Sequence, residues 1–343
     1  MIRFGIIGAG GIAVKFCEAV GRVKEAEVRA VASKSLERAK TFAAVNKVPE
    51  YYGSYREMLE QADIDAVYVA TTCNFHYENC LLCIEYGKAV LCEKSMVLKK
   101  KEAEELFKRA KEKNVFVMEA MWSVFLPTIK KAREWIRDGR IGTIYLANYT
   151  GGIHAQPEHR IFNPELGGGA LYDLSVYPIE IMNSLIPQKL VDVRADIVMG
   201  ETGVDVTNSI LLQYETCRAS LQTTAFSRVP SPSGVYGSDG YIQMTQTHRC
   251  EKCELYDGQF RLAEAFTFSI DNGFEFEIQE VVDCLKNGKL ESDLMPHAAT
   301  LQCLEIFEKC NVTAKVKLGC PVTCNNGLRH FDRSAGSKTE CLP

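Results

Sequence analysis

Nothing in this chain reads as a membrane span. No apolar run approaches the roughly 18 residues a helix needs to cross a bilayer. An excess of basic charge is also missing. Lysine and arginine number 40 against 44 acids, a formal net charge of −4, which leaves no electrostatic footprint for nucleic acid. The start, Met1-Ile2-Arg3-Phe4, passes directly into a strand without a signal-peptide pattern. No low-complexity linker interrupts the 343 residues, so two closely packed domains with a substantial core are expected. Cysteine is not scarce, at 14. Cys17, Cys80, Cys83, Cys92, Cys217, Cys284 and Cys303 nevertheless fall in helix- or strand-like segments, where a thiol acts as a small hydrophobe. Free thiols in a reducing cytoplasm are expected. Cys320 and Cys324, with Cys341 beyond, have no further Cys/His pair at zinc-ligand spacing, so no metal is expected.

What the chain does have begins with alternating strand and helix patterns up to about Glu119, the mark of a doubly wound parallel sheet. A short apolar strand runs into Gly8-Ala9-Gly10-Gly11-Ile12-Ala13 and then a helical pattern to Val20. This G-x-G-x-x-A stands where a dinucleotide turn belongs. The first glycine permits the tight turn, and the second lets a pyrophosphate approach the backbone. Ala13 lets the helix pack, and the helix N-terminus supplies partial positive charge. The second strand, 27–32, ends in Ser33-Lys34-Ser35, with Arg38 about one helical turn on. Sites that prefer NAD usually place Asp or Glu here for the ribose hydroxyls. A hydroxyl and two cations suit the 2′-phosphate of NADP; a solvated basic helix start is the plainer alternative.

The apolar run 89–92 stops at Glu93-Lys94-Ser95. It reads as a buried parallel strand that delivers an acid and a base to the carboxyl edge of the sheet, where α/β folds bind ligands. A lysine there can be desolvated and used in proton chemistry; the alternative is a structural ion pair. The preceding strand, 66–70, leads into Thr71-Thr72-Cys73-Asn74-Phe75-His76. The last strand of this sheet is expected at 115–118. Trp122 then lies either at the crevice or in the packing of the domain junction.

Beyond Trp122 the pattern changes. A helix at 128–137 is followed by a half-wet strand at 143–151, strand-like runs at 191–198, 206–214 and 219–225, and a hairpin turn at 237–240. Successive strands without helices between them indicate a mixed or antiparallel sheet. Among them sits Gly167-Gly168-Gly169-Ala170-Leu171-Tyr172-Asp173, with Tyr177 four residues on. At that spacing Asp173 and Tyr177 are expected to share a helix face, where they either address a ligand or bond to each other. His154, His159 and Arg160 are expected in the loop before the glycines.

The glycine turn, Cys92-Glu93-Lys94, the Gly167-to-Asp173 run and Glu291-Ser292 ahead of Met295-Pro296 together resemble the glucose–fructose oxidoreductase/inositol dehydrogenase (Gfo/Idh/MocA) family, from Ile2 to Cys310. Asp173 followed by Tyr177, where many members carry histidine, looks closest to the dimeric dihydrodiol dehydrogenases and the NADP-dependent D-xylose dehydrogenases. The resemblance implies an α/β fold: an N-terminal Rossmann domain at 1–121, and an α+β domain at 122–310 with a large open, mostly antiparallel sheet. A helix near 296–310 would pack back on the first domain, and 311–343 would be an atypical tail, its polar end 333–338 without order. It further implies a homodimer or homotetramer through the second sheet.

The resemblance also assigns roles. Gly8, Gly10, Gly11 and Ile12 would lie along the pyrophosphate, with Ser33, Lys34 and Arg38 at the adenosine phosphate. Thr71, Thr72, Asn74 and His76 would line the nicotinamide side, and Glu93 would meet its ribose. Lys94, Asp173 and Tyr177 would surround the reacting carbinol. By position rather than by resemblance, Trp122 and the loop residues His154, His159 and Arg160 are further candidate substrate contacts, a surface loop being the alternative for those three. Two departures stand out: Ser95 replaces the usual proline, which puts a cis turn there in question, and Thr72-Cys73 replaces the usual proline–asparagine.

The expected reaction is hydride transfer between NADP (NAD being the alternative) and a secondary alcohol of a sugar, polyol or trans-dihydrodiol. Tyr177 would take the hydroxyl proton. A phenol titrates at about 10, and the Lys94 ammonium would favour its ionised form. Lys94 is a candidate relay for that proton, and Asp173 would hold Tyr177 or a substrate hydroxyl. A non-catalytic NADP-binding regulator, or a redox-neutral hydrolysis or elimination that recycles NAD in place, are the competing readings.

Overall fold

A computed structural model of the protein describes residues 1–312 and the backbone of Lys315–Lys317. The tail containing Cys320, Cys324, Cys341 and the run 333–338 lies outside the described residues.

The first sheet comprises β1 (Ile2–Ile7), β2 (Ala26–Ala32), β3 (Glu50–Tyr52), β4 (Ala66–Val69), β5 (Ala89–Glu93) and β6 (Val117–Ala120). They are all parallel, in the order β3-β2-β1-β4-β5-β6. Every residue of β4 and β5 is buried, because helices cover both faces and an alternating pattern has no wet side to serve. Those helices are α1 (Gly11–Val20), α2 (Leu36–Asn46), α3 (Tyr55–Gln61), α4 (His76–Glu85) and α5 (Lys100–Lys113). α5 shows the logic: Ala103, Leu106, Phe107 and Ala110, at helical spacing, are its buried stripe on an otherwise charged helix. The chain winds outward from β1 in one direction and from β4 in the other. A crevice therefore opens above their carboxyl ends, at the topological switch point.

The sixth strand starts two residues later than expected. Asn114 adopts the left-handed conformation that ends α5, and the Val115 amide donates to Ala110 O at 2.8 Å. Val115 thus belongs to the helix cap, and Glu119 lies inside the strand, opposite Cys92.

The second sheet begins after α6 (Pro127–Arg137) with β7 (Ile144–His154); α7 (Val176–Leu185) intervenes. Then come β8 (Leu190–Met199), β9 (Asp205–Tyr214), β10 (Arg218–Thr224), β11 (Phe226–Val229), β12 (Ser233–Gly237), β13 (Gly240–Met244), β14 (Lys252–Asp257) and β15 (Leu262–Thr267). α8 (Glu275–Lys286), α9 (His297–Asn311) and β16 (Lys315–Lys317) complete it. The order is β15-β14-β13-β12-β7-β10-β9-β8-β16, with β11 on β7; the pairs β7–β10 and β8–β16 are parallel and the others antiparallel. β9 alternates strictly, with Val206, Asn208, Ile210, Leu212 and Tyr214 buried. The expected turn at 237–240 pairs Tyr236 with Tyr241. β7 runs three residues beyond the expected end, which places His154 in the strand rather than in the following loop, its Nδ1 2.9 Å from Phe226 O.

The two sheets are joined by side chains as well as by the chain. On α9, His297 stacks on Phe107 with centroids 3.8 Å apart, and its Nε2 lies 2.9 Å from Val117 O. Thr300 donates to the Glu119 carboxylate at 2.8 Å, and Lys100 donates to Glu305 at 2.9 Å. Through these contacts α9 lies against α5 and β6 of the first sheet's layer.

Candidate active site

A cleft of about 750 Å³ lies over the carboxyl ends of β1, β4 and β5 and is walled on its far side by β7, β10 and the Leu171–Ser175 turn. One half is backbone and cation. Gly8, with φ +107°, turns the chain out of β1; a Cβ there would stand 2.8 Å from Ala70 O, so only glycine fits. Gly10 and Gly11 face open space, and the first turn of α1 carries no acid and no side-chain cap. Ser33, Lys34 and Arg38 stand at the end of this half. The Lys34 ammonium lies 4.4 Å from the Phe75 ring centroid, and neither cation has an acidic partner among the described residues. Open glycine backbone, uncapped amides and free cations along one groove fit a dinucleotide phosphate chain.

The other half is charged and aromatic. β5 ends at Glu93, whose carboxylate accepts from the Tyr68 hydroxyl, and burial pushes that carboxyl up. Lys94 follows, with a cis peptide to Ser95, even though Ser95 is not proline. The Lys94 ammonium crosses to the second sheet's layer, where it donates to the Asp173 carbonyl and to Asp173 Oδ1, both at 2.9 Å. Oδ1 also accepts from Arg160 at 2.7 Å. Burial pulls Lys94 down, but Asp173 and Tyr177 outweigh it and hold the lysine above its usual range. Burial likewise pushes Asp173 up, and the Lys94 and Arg160 charges more than reverse that, leaving its carboxyl well below the usual carboxylate range. Two cations share one carboxylate, so the group carries a net positive charge into the cleft. The Lys94 ammonium sits 4.8 Å from the centroid of the Tyr177 ring.

Asp173 and Tyr177 do not share one α-helical face. Leu171–Ser175 is a single π turn, and α7 starts only at Val176. Its N-terminal amide, on Leu171, donates to Asp205 at 2.6 Å. No Asp173–Tyr177 hydrogen bond forms among the described residues; the carboxylate is engaged by Lys94 and Arg160. The Tyr177 hydroxyl instead accepts from the Trp122 indole N–H at 3.4 Å.

Gly8, Gly10, Gly11, Ile12, Ser33, Lys34, Arg38, Thr71, Thr72, His76, Glu93, Lys94, Arg160, Asp173 and Tyr177 all line the cleft. Trp122 does not. It is buried behind Tyr177 at the domain junction, edge-on to that ring with centroids 6.4 Å apart. Asn74 is also outside the lining, because its amide donates to Glu165 O at 2.9 Å and ties the glycine-run loop to the first sheet. His76 is buried, each ring nitrogen 3.0 Å from a carbonyl oxygen, of Thr71 and of Ser95. Burial lowers its pKa, and its ring braces two cleft loops against each other. Sequence reasoning missed Tyr149, Thr223, Ser231 and His248 on the second-sheet wall. Strand alternation places Tyr149 and Thr223 inward, but no local signal marks any of the four as facing the cleft.

A glycine turn at the switch point, opposed by a lysine–aspartate–tyrosine group, defines a dinucleotide-dependent oxidoreductase of two-sheet architecture. The chain belongs to the GFO/IDH/MocA oxidoreductase family: residues 2–121 match its NAD-binding Rossmann domain and 129–243 its C-terminal domain. It is 31% identical over 317 residues to a trans-1,2-dihydrobenzene-1,2-diol dehydrogenase of Xenopus tropicalis, covering 90% of this chain and 96% of that protein. A scyllo-inositol 2-dehydrogenase (NADP(+)) of Bacillus subtilis is 32% identical, with the same coverage of both. Among solved structures, a 3-ketoreductase from Actinomadura kijaniata in complex with NADP and TDP-benzene superimposes with a TM-score of 0.82 over 92% of this chain and 99% of that one. At 24% identity that last likeness is one of fold.

Proposed function

We propose that the protein is an NADP-dependent dehydrogenase, or reductase in the reverse direction, acting on a secondary alcohol of a sugar, polyol or trans-dihydrodiol. The reading is carried by one observation: Lys94, from the carboxyl end of β5, and Tyr177, from the second sheet's layer, meet in the cleft that also holds the glycine turn. Gly8, Gly10, Gly11 and Ile12 would hold the pyrophosphate, and Ser33, Lys34 and Arg38 the 2′-phosphate. Thr71, Thr72 and Glu93 would border the nicotinamide. When bound, the oxidised cofactor supplies the two-electron acceptor.

The chain's own residues manage the proton and the charge. Tyr177, entering the step as its phenolate and leaving it as the phenol, takes the hydroxyl proton as the C–O bond becomes a carbonyl. Lys94 stays protonated, so it acts as a fixed charge that stabilises negative charge on the carbinol oxygen rather than as the base. Asp173 holds that ammonium in place, and Arg160 shares the carboxylate. The relatives named above act on a dihydrodiol and an inositol, which supports the substrate range.

The same reading divides the chain at 121/122 into a cofactor domain and a substrate domain. It assigns self-association to the open face of the second sheet and places the protein in the cytoplasm. Rates with NADP and with NAD on aldoses, inositols, deoxyketoses and trans-diols, read by the absorbance of the reduced cofactor, test it. Turnover of any one with NADP supports it. Cofactor binding with no turnover on the whole panel favours a regulator.

A further inference from the structure

Opposite Lys94, the cleft wall carries an imidazole with no assigned task. His248 lies on the short turn Thr247–Arg249 between β13 and β14. That turn is held on three sides. The Thr247 amide and hydroxyl donate to Ser231 O at 2.8 and 2.9 Å. Ser123 donates to His248 O at 2.7 Å, and Thr128 donates to Cys250 O at 2.5 Å. Ser123 directly follows Trp122, the residue that bonds the Tyr177 hydroxyl. One segment of chain therefore positions both Tyr177 and His248. Their ring centroids are 5.7 Å apart, and both rings line the cleft.

The His248 ring nitrogens have no hydrogen-bond partner among the described residues. Burial, then the Lys94 and Arg249 charges, lower the pKa of this ring. It is thus neutral near pH 7, with one nitrogen donating and the other accepting. That matches a hydroxyl, which does both, better than it matches an anion. The neighbours agree: Tyr149, Ser231 and Thr223 bring three more hydroxyls to the same wall. Gly151 leaves the room that the Tyr149 hydroxyl takes, 2.4 Å from where a Cβ would be.

We propose that His248 is a specificity-determining residue that hydrogen-bonds a second substrate hydroxyl, remote from the carbon oxidised at Tyr177, and so selects polyhydroxylated rings over diols with an apolar remainder. The inference rests on the dehydrogenase reading above. A ring held rigidly with unused polar atoms discriminates by leaving them unpaired when the matching hydroxyl is missing.

The test compares wild type, His248→Phe and His248→Gln with NADP on scyllo-inositol, D-xylose and trans-cyclohexane-1,2-diol, with NADPH affinity read separately by fluorescence. The expected result is a KM for the polyhydroxylated probe raised about five- to tenfold in the phenylalanine variant, the loss of one hydrogen bond. Its kcat should stay within about twofold. His248→Gln should recover most of the loss, the KM for the diol should fall in the phenylalanine variant because no polar nitrogen is left unpaired against it, and NADPH affinity should not move. An equal loss on the diol, a fall confined to kcat, or an unchanged KM overturns the proposal. Should His248→Phe be insoluble, His248→Ala gives the same comparison. If wild type oxidises only the diol, the specificity inference falls and the dehydrogenase reading stands. If it oxidises none of a full alcohol panel with either cofactor, both fall.

Discussion

Lys94 reaches from the end of one sheet to the layer of the other and takes both the carbonyl and the carboxylate of Asp173, each at 2.9 Å. The π turn at Leu171–Ser175 presents both oxygens of one residue to one ammonium. This contact fixes the lysine as a charge and sets its height over the Tyr177 ring.

Lys94→Ala should lower kcat about 10²- to 10³-fold, the usual loss when one charge-stabilising donor is removed from a site. Affinity for NADPH, titrated by fluorescence, should change little. Tyr177→Phe keeps the ring beside Lys94 but removes the proposed proton acceptor, and should reduce kcat about 10²- to 10⁴-fold. A phenylalanine variant with full kcat would remove Tyr177 from the chemistry.

Lys34 and Arg38 stand at the cleft end without acidic partners among the described residues. Replacing either with alanine should raise KM for NADP about tenfold or more, since a hydrogen bond to a charged group contributes about 1.5 to 3 kcal/mol. KM for NAD should barely change. Equal effects on both cofactors would place these cations away from the 2′-phosphate.

Glu277 is fully buried on α8 with neither carboxylate oxygen hydrogen-bonded. Burial, and then the charge of Glu93, hold its carboxyl well above the usual range. A carboxyl protonated in the folded chain and ionised in the unfolded one destabilises the fold above about pH 4, and more so as pH rises. Glu277→Gln removes that titration. Its Tm should match wild type near pH 4 and exceed it at pH 7 to 8, by the equivalent of about 1 to 3 kcal/mol. Parallel Tm-against-pH curves for the two proteins would contradict this.

Gly169, at φ +128°, lies where a Cβ would come within 2.4 Å of Asp205 Oδ1. Asp205 in turn accepts from the Leu171 amide at 2.6 Å and from the Asn208 amide at 2.7 Å, so it anchors the start of the π turn. Gly169→Ala should cost about 1 to 3 kcal/mol in denaturant unfolding. It should also reduce kcat, because Asp173 is carried on the displaced turn. Unchanged stability together with unchanged kcat would show that the turn tolerates the shift.

The chain's short-range pattern was enough for the glycine turn after β1, the buried run that ends at Glu93-Lys94, the strands near 191–198, 206–214 and 219–225, and the 237–240 hairpin. Each of these depends on residues a few positions apart, where periodicity and turn chemistry act. The family resemblance added expected roles for Lys94, Asp173 and Tyr177 and for the residues beside the glycine turn. Other features were settled only when distant segments met. Asp173 bonds Lys94 and Arg160 rather than Tyr177. Trp122 backs the Tyr177 phenol from outside the cleft, and Asn74 fastens a loop. Ser123 sets His248 from 125 residues away. A side chain's partner is chosen by which groups the packed layers bring within hydrogen-bond reach, and hydrophobic spacing along the chain carries no record of that choice.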